Sequence, residues 1–270
     1  MDTGFHITRE SITQVNARYH DAIVTSYDQR LEQNHPAVVE WYQWLFERHV
    51  FPFLDGRETP TCIDFGCGTG FLEQFVSGRN MQITGIDVSE KMLQTAAGRY
   101  ETVNYLKADL YTYEPPVQYD LTMENAVLHH LLDYDVLLDK MADLTKPGGV
   151  LFMGNEPNRY AYRYFGILKR LFRRTVNRMR TIDAANRSGD HDCEALSEYH
   201  LFYSSGINPY SVRQKLLGRG FRKVALFFSL RELFAAVEEA YPRLKLNRVT
   251  PRFIGDHFVL SRNFSLIAYK

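Results

Sequence analysis

The stretch Cys62-Ile63-Asp64-Phe65-Gly66-Cys67-Gly68-Thr69-Gly70 constrains this chain more than any other. A short apolar run ending at an acid reads as a buried strand. The glycines then demand a tight turn, and Phe71-Leu72-Glu73-Gln74-Phe75-Val76 opens a helix. Strand, glycine turn and helix start form the ligand-facing corner of a doubly wound α/β sheet. Asp87 closes the next apolar run, 21 positions after Gly66. A carboxylate at that strand end can accept hydrogen bonds from both hydroxyls of a ribose.

The glycine spacing separates two kinds of ligand. A dinucleotide turn reads G-x-G-x-x-G, and its third glycine lets helix and strand approach closely. Here the third glycine comes one residue early, at Gly70, and bulky Phe71 holds the dinucleotide position. Asp64 stands just before the turn, where a carboxylate repels a pyrophosphate and suits a ligand carrying an ammonium group. Alone, such a turn is as compatible with a bare loop as with a bound ligand.

Asp64-Phe65-Gly66-Cys67-Gly68-Thr69-Gly70 resembles the first motif of class I S-adenosylmethionine (SAM)-dependent methyltransferases, and later segments extend the resemblance. Gly85-Ile86-Asp87-Val88-Ser89 is similar to the family's ribose motif, and Lys107-Ala108-Asp109-Leu110 to the segment whose acid meets the adenine amino group. Asp120-Leu121-Thr122-Met123-Glu124-Asn125 resembles the fourth motif, and Leu144-Thr145-Lys146-Pro147-Gly148-Gly149 the turn before strand five. Five motifs in order are far more specific than one. The resemblance covers about 60–157, 208–229 and the final strand. It implies seven strands, the last antiparallel, with SAM as methyl donor and S-adenosylhomocysteine as product. It further implies that Asp64 faces the methionine ammonium and that Gly66, Cys67 and Gly68 let the backbone approach the donor. Asp87 would hold the ribose, Val88, Asp109 and Leu110 the adenine, and Glu124 would contribute backbone contacts. Tyr27, in Ser26-Tyr27-Asp28, resembles the aromatic that closes over the donor in many relatives.

Periodicity supplies the order of elements. Residues 8–34 read as a helix with Thr8 as N-cap, and Pro36 opens a second helix. Strands follow at 61–65, 82–86, 103–107, 119–123 and 150–154, with helices at 70–77, 90–100 and 134–144. Strands alternating with such helices imply a parallel sheet. The alternation stops at 158–206 and resumes with a helix at 209–218, a strand at 222–229 and a terminal strand at 263–269. The expected architecture is a doubly wound, Rossmann-like, seven-stranded and mostly parallel sheet. An N-terminal helical cap (1–57) precedes the core (58–157), an inserted helical lid occupies 158–206, and the rest of the core (207–270) carries a helical insertion near 230–258.

The chain has 270 residues, 45% of them hydrophobic and 24% charged, which suits one large soluble domain with a lid. Zero net charge argues against a general nucleic-acid binder. Cys62, Cys67 and Cys193 have no ligand spacing, and Met1-Asp2-Thr3-Gly4-Phe5-His6 lacks a signal pattern, so a cytoplasmic setting is expected. The zero charge hides a basic segment: 158–182 holds Arg159, Arg163, Lys169, Arg170, Arg173, Arg174, Arg178 and Arg180 with no acid. Interleaved aromatics make 159–180 an amphipathic helix that can rest on an anionic membrane, meet a partner, cover a pocket or simply face solvent.

Candidate catalytic groups are few. His130, after strand four in Val127-Leu128-His129-His130, stands at the carboxyl edge of the sheet and could take a proton from the acceptor. His129 is the weaker candidate, because such a pair also serves to orient a loop. His200, in Ser197-Glu198-Tyr199-His200, falls on the lid and is the second catalytic candidate. Glu156 ends strand five, where it borders substrate or forms a turn. No metal site is expected: His191, Asp192, Cys193 and Glu194 are contiguous, and adjacent side chains rarely converge on one ion.

These features predict a SAM-dependent methyltransferase acting on an oxygen, nitrogen or carbon of a small molecule. Tyr160, Tyr162, Tyr164, Phe165, Tyr199, Phe202 and Tyr203 suggest an apolar or aromatic acceptor. Two alternatives stand beside it: a SAM-binding enzyme whose reaction transfers no methyl group, and a peripheral membrane or interaction protein using 159–180.

Overall fold

The computed structural model describes residues 7–27, 34–164, 195–228 and 261–270. Helix α1 (Arg9–Ile23) starts at Thr8, whose side chain accepts from Ser11 N in a reciprocal cap, and a tighter turn, Val24–Ser26, follows it. Helix α2 (Pro36–Leu45) starts at His35, with proline at its first position, where no backbone donor is needed. The core then alternates β1 (Thr61–Phe65), α3 (Glu73–Val76), β2 (Gln82–Asp87), α4 (Glu90–Ala97), β3 (Asn104–Lys107), β4 (Tyr119–Asn125), α5 (Tyr134–Leu144) and β5 (Thr145–Pro157). Within and after the expected lid come α6 (Tyr199–Tyr203), α7 (Pro209–Gly218), β6 (Lys223–Phe228) and β7 (Asn263–Tyr269).

The strands form one sheet in the order β3-β2-β1-β4-β5-β7-β6, with β7 antiparallel to both its neighbours. The order reverses between β1 and β4, which pair in parallel at Phe65 and Glu124. That switch point opens a crevice at the carboxyl ends of the strands.

Side-chain alternation along the strands builds a core on each face. Ile63, Phe65, Leu151, Met153 and Leu266 point to α5 and α7. Cys62, Met123, Phe152 and Ile267 point to α2, where Tyr42, Leu45 and Phe46 are buried. The two N-terminal helices thus differ in role. Helix α2 belongs to the core, whereas α1 packs on α4 and leans over the crevice.

Several elements differ from their sequence-predicted bounds. The helix expected at 70–77 shrinks to α3, because Gly70 sits at φ +88°, outside helical space. Strand β5 exceeds 150–154 at both ends. Its early part includes the turn residues 146–149, held because Gly148 N donates to Lys270 O and Lys270 N to Gly149 O. Its late part bulges between Met153 and Glu156, where Asn155 takes φ +54°. Asn158 and Ile207 form a bridge, so the inserted segment leaves and rejoins the sheet at one point. Most of the expected basic helix 159–180, the cluster 191–194 and the insertion expected near 230–258 lie outside the described residues.

Candidate active site

The crevice at the switch point is a cleft of ≈ 580 Å³, open mouth included. Its floor is the glycine turn, which the amides of Gly66 and Cys67 pin to β2 by donating to Ile86 O at 2.7 and 3.0 Å. Gly66 (φ +71°) and Gly68 (φ +55°) adopt backbone that side chains rarely take. A Cβ at Gly66 would stand 2.7 Å from Val127 Cγ2, so the turn and the loop after β4 touch without room for a methyl group. A Cβ at Gly68 would stand 3.8 Å from the Tyr27 ring, which lies across the turn.

Asp87 ends β2 facing this turn. Gly68 N donates to its Oδ2 at 2.9 Å and Ser89 N to its Oδ1 at 2.8 Å. Each oxygen keeps a lone pair for a ligand hydroxyl. Burial raises the Asp87 pKa, against lowering by His20 and by the backbone donors. Val88, Asp109 and Leu110 continue the wall, and Asp109 holds its own loop by accepting from Tyr111 N at 2.8 Å.

Of the twelve sequence-predicted site residues, Tyr27, Gly66, Gly68, Asp87, Val88, Asp109, Leu110 and His130 line the cleft. Asp64, Cys67, Glu124 and His200 do not. Asp64 lies beneath the turn beside Glu73, both almost wholly buried. Burial raises both carboxyl pKa values, and the two acids press on each other, so the pair retains a proton. The Cys67 thiol is likewise pushed up by burial and by these acids, which leaves it inert. Glu124 turns inward against Glu156. Burial and the Glu156 charge keep it protonated, and Asn125 takes the wall position instead. His200 sits on α6 with its ring 4.9 Å from Tyr134 and its Nδ1 2.9 Å from Ser204 Oγ. The described aromatics of the expected entrance also stand apart from the cleft wall; Tyr160, Tyr164 and Tyr203 are exposed.

The loop after β4 is braced from behind. Glu156 Oε1 accepts from Val127 N and Leu128 N, both at 2.7 Å, and its Oε2 meets His129 Nδ1 at 3.0 Å. His129 Nε2 stands 3.3 Å from Glu198. Burial alone would lower the His129 pKa, but the two flanking carboxylates raise it to about 10. Glu198, despite burial, falls to about 2 beside the two histidines. His130 goes the other way: burial and the neighbouring His129 charge lower it to about 3. Its Nδ1 lies 2.7 Å from Ser197 O, an acceptor only, so the proton resides on Nδ1 and the lone pair on Nε2.

Sequence reasoning missed the roof. Thr13, Asn16 and His20 of α1 line the cleft, as do Asn125, Ala126 and Val127. Asn16 is buried and shares a helix face with Ile12 and Val15. A polar residue on such an apolar stripe is the signal that could have marked it. Asp21 anchors the roof: its Oδ1 accepts from Ser89 Oγ at 2.5 Å and from Lys91 N at 3.3 Å, at the positive end of α4.

Residues 63–151 match a family model described as a methyltransferase domain. An uncharacterized methyltransferase of Mycobacterium tuberculosis is 33% identical over 114 residues, 40% of this chain and 58% of that protein. A ubiquinone biosynthesis O-methyltransferase of Nitrosomonas europaea is 30% identical over 127 residues, 44% of this chain and 54% of that protein. The match thus spans little more than half the length of these relatives. Among solved structures, the plantazolicin methyltransferase BpumL, in complex with a triazolic desmethylPZN analog and SAH, superposes with a TM-score of 0.54 over 97% of this chain and 99% of that one, at 14% identity. Sheet order, glycine turn and domain match agree: residues 63–151 are similar to a methyltransferase domain, set in a seven-stranded Rossmann-like sheet.

Proposed function

We propose that this chain transfers the methyl group of SAM to a small molecule, with oxygen as the favoured acceptor atom. The observation that carries this reading is Asp87 at the end of β2, both oxygens anchored and both still able to accept, facing a cleft at the β1/β4 switch point. Asp87 would take the two ribose hydroxyls, Val88 and Leu110 would sandwich the adenine with Asp109 at its amino edge, and Tyr27 would close over the turn. The donor supplies an already activated sulfonium methyl, so the protein's work is alignment and exclusion of water. The roof formed by α1 serves that exclusion. Asp64 and Glu73 place negative potential under the turn, on the side that suits the donor's ammonium.

On the acceptor side, the His130 lone pair is one polar group available to an incoming O–H or N–H. A nitrogen that binds a proton so weakly orients an acceptor better than it deprotonates one. The relative named as an O-methyltransferase favours oxygen. The non-transferring alternative loses ground because the named relatives are methyltransferases. No helix among the described residues is long and apolar enough to cross a membrane. A cytoplasmic setting and a small apolar or aromatic acceptor remain part of this proposal.

The test incubates the full chain with methyl-labelled SAM and a panel of phenols, carboxylic acids and amines. Label is expected in a phenol or acid product. Donor binding without label transfer to any class would revive the non-transferring reading.

A further inference from the structure

His129, His130 and Glu198 bring one ring nitrogen each and a carboxylate oxygen within 4.8 Å of one another, at the edge of the cleft that His130 lines. The hydrogen bonds of the two rings decide which nitrogens are available. His129 Nδ1 is held by the Glu156 carboxylate and His130 Nδ1 by the Ser197 carbonyl. Both rings therefore direct their hydrogens to Nδ1 and leave Nε2 to a ligand. A carboxylate and a backbone carbonyl are the partners that orient metal-bound histidines. A further layer fixes the carbonyl: Ser197 Oγ donates to Asn16 Oδ1 at 2.7 Å, and Asn16 donates to His130 O.

One ligand pair already stands at the required spacing. His129 Nε2 and Glu198 Oε2 lie 3.3 Å apart. Two atoms each at zinc-ligand distance from a tetrahedral ion stand about 3.3–3.4 Å from one another. Imidazole with one carboxylate is a donor set that suits zinc among the divalent metals.

We propose that His129, His130 and Glu198 form a three-ligand site for a zinc-class divalent ion beside the acceptor side of the cleft. The ion replaces the proton between His129 Nε2 and Glu198, which leaves to solvent, while Glu156 keeps the Nδ1 hydrogen in place. Three protein ligands leave a fourth position for water or for an acceptor's oxygen. An acceptor hydroxyl bound there loses its proton more readily, which supplies what the His130 lone pair alone does not. This role in transfer rests on the methyltransferase reading; ion binding itself does not.

The test titrates the metal-stripped full chain with Zn²⁺ by calorimetry and with Co²⁺ by visible absorption. One equivalent is expected, with the intense bands of four-coordinate cobalt. Glu198→Gln and His129→Gln should each weaken binding by at least about 10–100-fold. S-adenosylhomocysteine affinity, measured on the same variants, reports that they are folded. Absence of a one-equivalent event overturns the proposal. So does undiminished binding in Glu198→Gln, or loss of binding in His191→Ala or Cys193→Ser with Glu198→Gln unaffected. Transfer of labelled methyl is assayed separately. Its failure alongside intact ion binding sinks the transferase reading and leaves the site standing.

Discussion

Asn16 Nδ2 donates to the carbonyl oxygen of His130 at 3.0 Å, across 114 positions of sequence. This single bond ties the first helix to the loop after β4, and Ser197, just before α6, donates to the same side chain. Three segments remote in the chain thereby meet at one buried amide. Asn16→Leu breaks both bonds at once and strands His130 O and Ser197 Oγ. The expected cost is about 1–3 kcal/mol, a few degrees in Tm at this chain length. Turnover should fall more than donor affinity, because the bond positions the acceptor side. A thermal melt and donor calorimetry check both, and an unchanged Tm would show that the amide is replaceable.

Asp87→Ala should weaken SAM and S-adenosylhomocysteine by about 3–6 kcal/mol, the worth of two hydrogen bonds to a charged group. The Gly68 and Ser89 amides lose their acceptor in the same variant, so a melt must accompany the titration. Unchanged affinity in a folded variant refutes the ribose assignment.

The buried pair Asp64 and Glu73 makes the ligand-free protein sensitive to alkali. The folded pKa of Glu73 is raised above its ordinary 4.5, chiefly by burial. A raised acid keeps its proton in the fold but not in the unfolded chain, so stability is lost as pH climbs from 4.5 through the folded value. Glu73→Gln removes one ionisable member and supplies an amide donor to Asp64. It should stabilise the protein at pH 8 and change little at pH 5, as denaturant midpoints at the two values will show. Equal effects at both would mean the pair does not titrate.

Asp120 predicts the opposite limb. It meets Arg57 and accepts from Lys146 Nζ at 2.8 Å, Thr61 N at 2.8 Å and Thr61 Oγ1 at 2.9 Å. Burial alone would raise its pKa, but the bonds from Lys146 and Thr61 outweigh it and hold the carboxyl below its ordinary value. Its contribution is full above 3.8 and disappears as pH falls through the depressed value. Asp120→Asn should destabilise the protein at neutral pH and flatten the acid limb of its stability curve. A denaturation series from pH 7 to pH 3 checks it, and parallel curves for the two proteins would contradict it.

The strands and the glycine turn were legible because each rests on local patterns: an apolar run, a positive-φ glycine, an acid at a strand end. Asp87 was readable for the same reason. Asp64 was not, since sequence placed it at the turn but could not tell which side of the backbone its carboxyl occupies. Glu73, the first residue of α3, is the neighbour that reveals it lies underneath. The roof was hidden because Thr13 and His20 look like ordinary surface positions until α1 is docked on α4. The grouping of His129 with Glu198 spans 69 positions, and no periodicity announces such a meeting. The contiguous cluster 191–194 was set aside from sequence, because adjacent side chains rarely converge on one ion.

The antiparallel β7 lies between β5 and β6, although it follows β6 in the chain. During synthesis β6 emerges with no neighbour to pair with, and the edge of β5 stays open beside it. Only the arrival of Asn263–Tyr269 closes both gaps together. The sheet therefore locks in one late step, and a nascent chain stalled before this strand presents two unsatisfied edges to whatever it meets. The last strand of the sheet is thus the piece that seals both edges against a second copy.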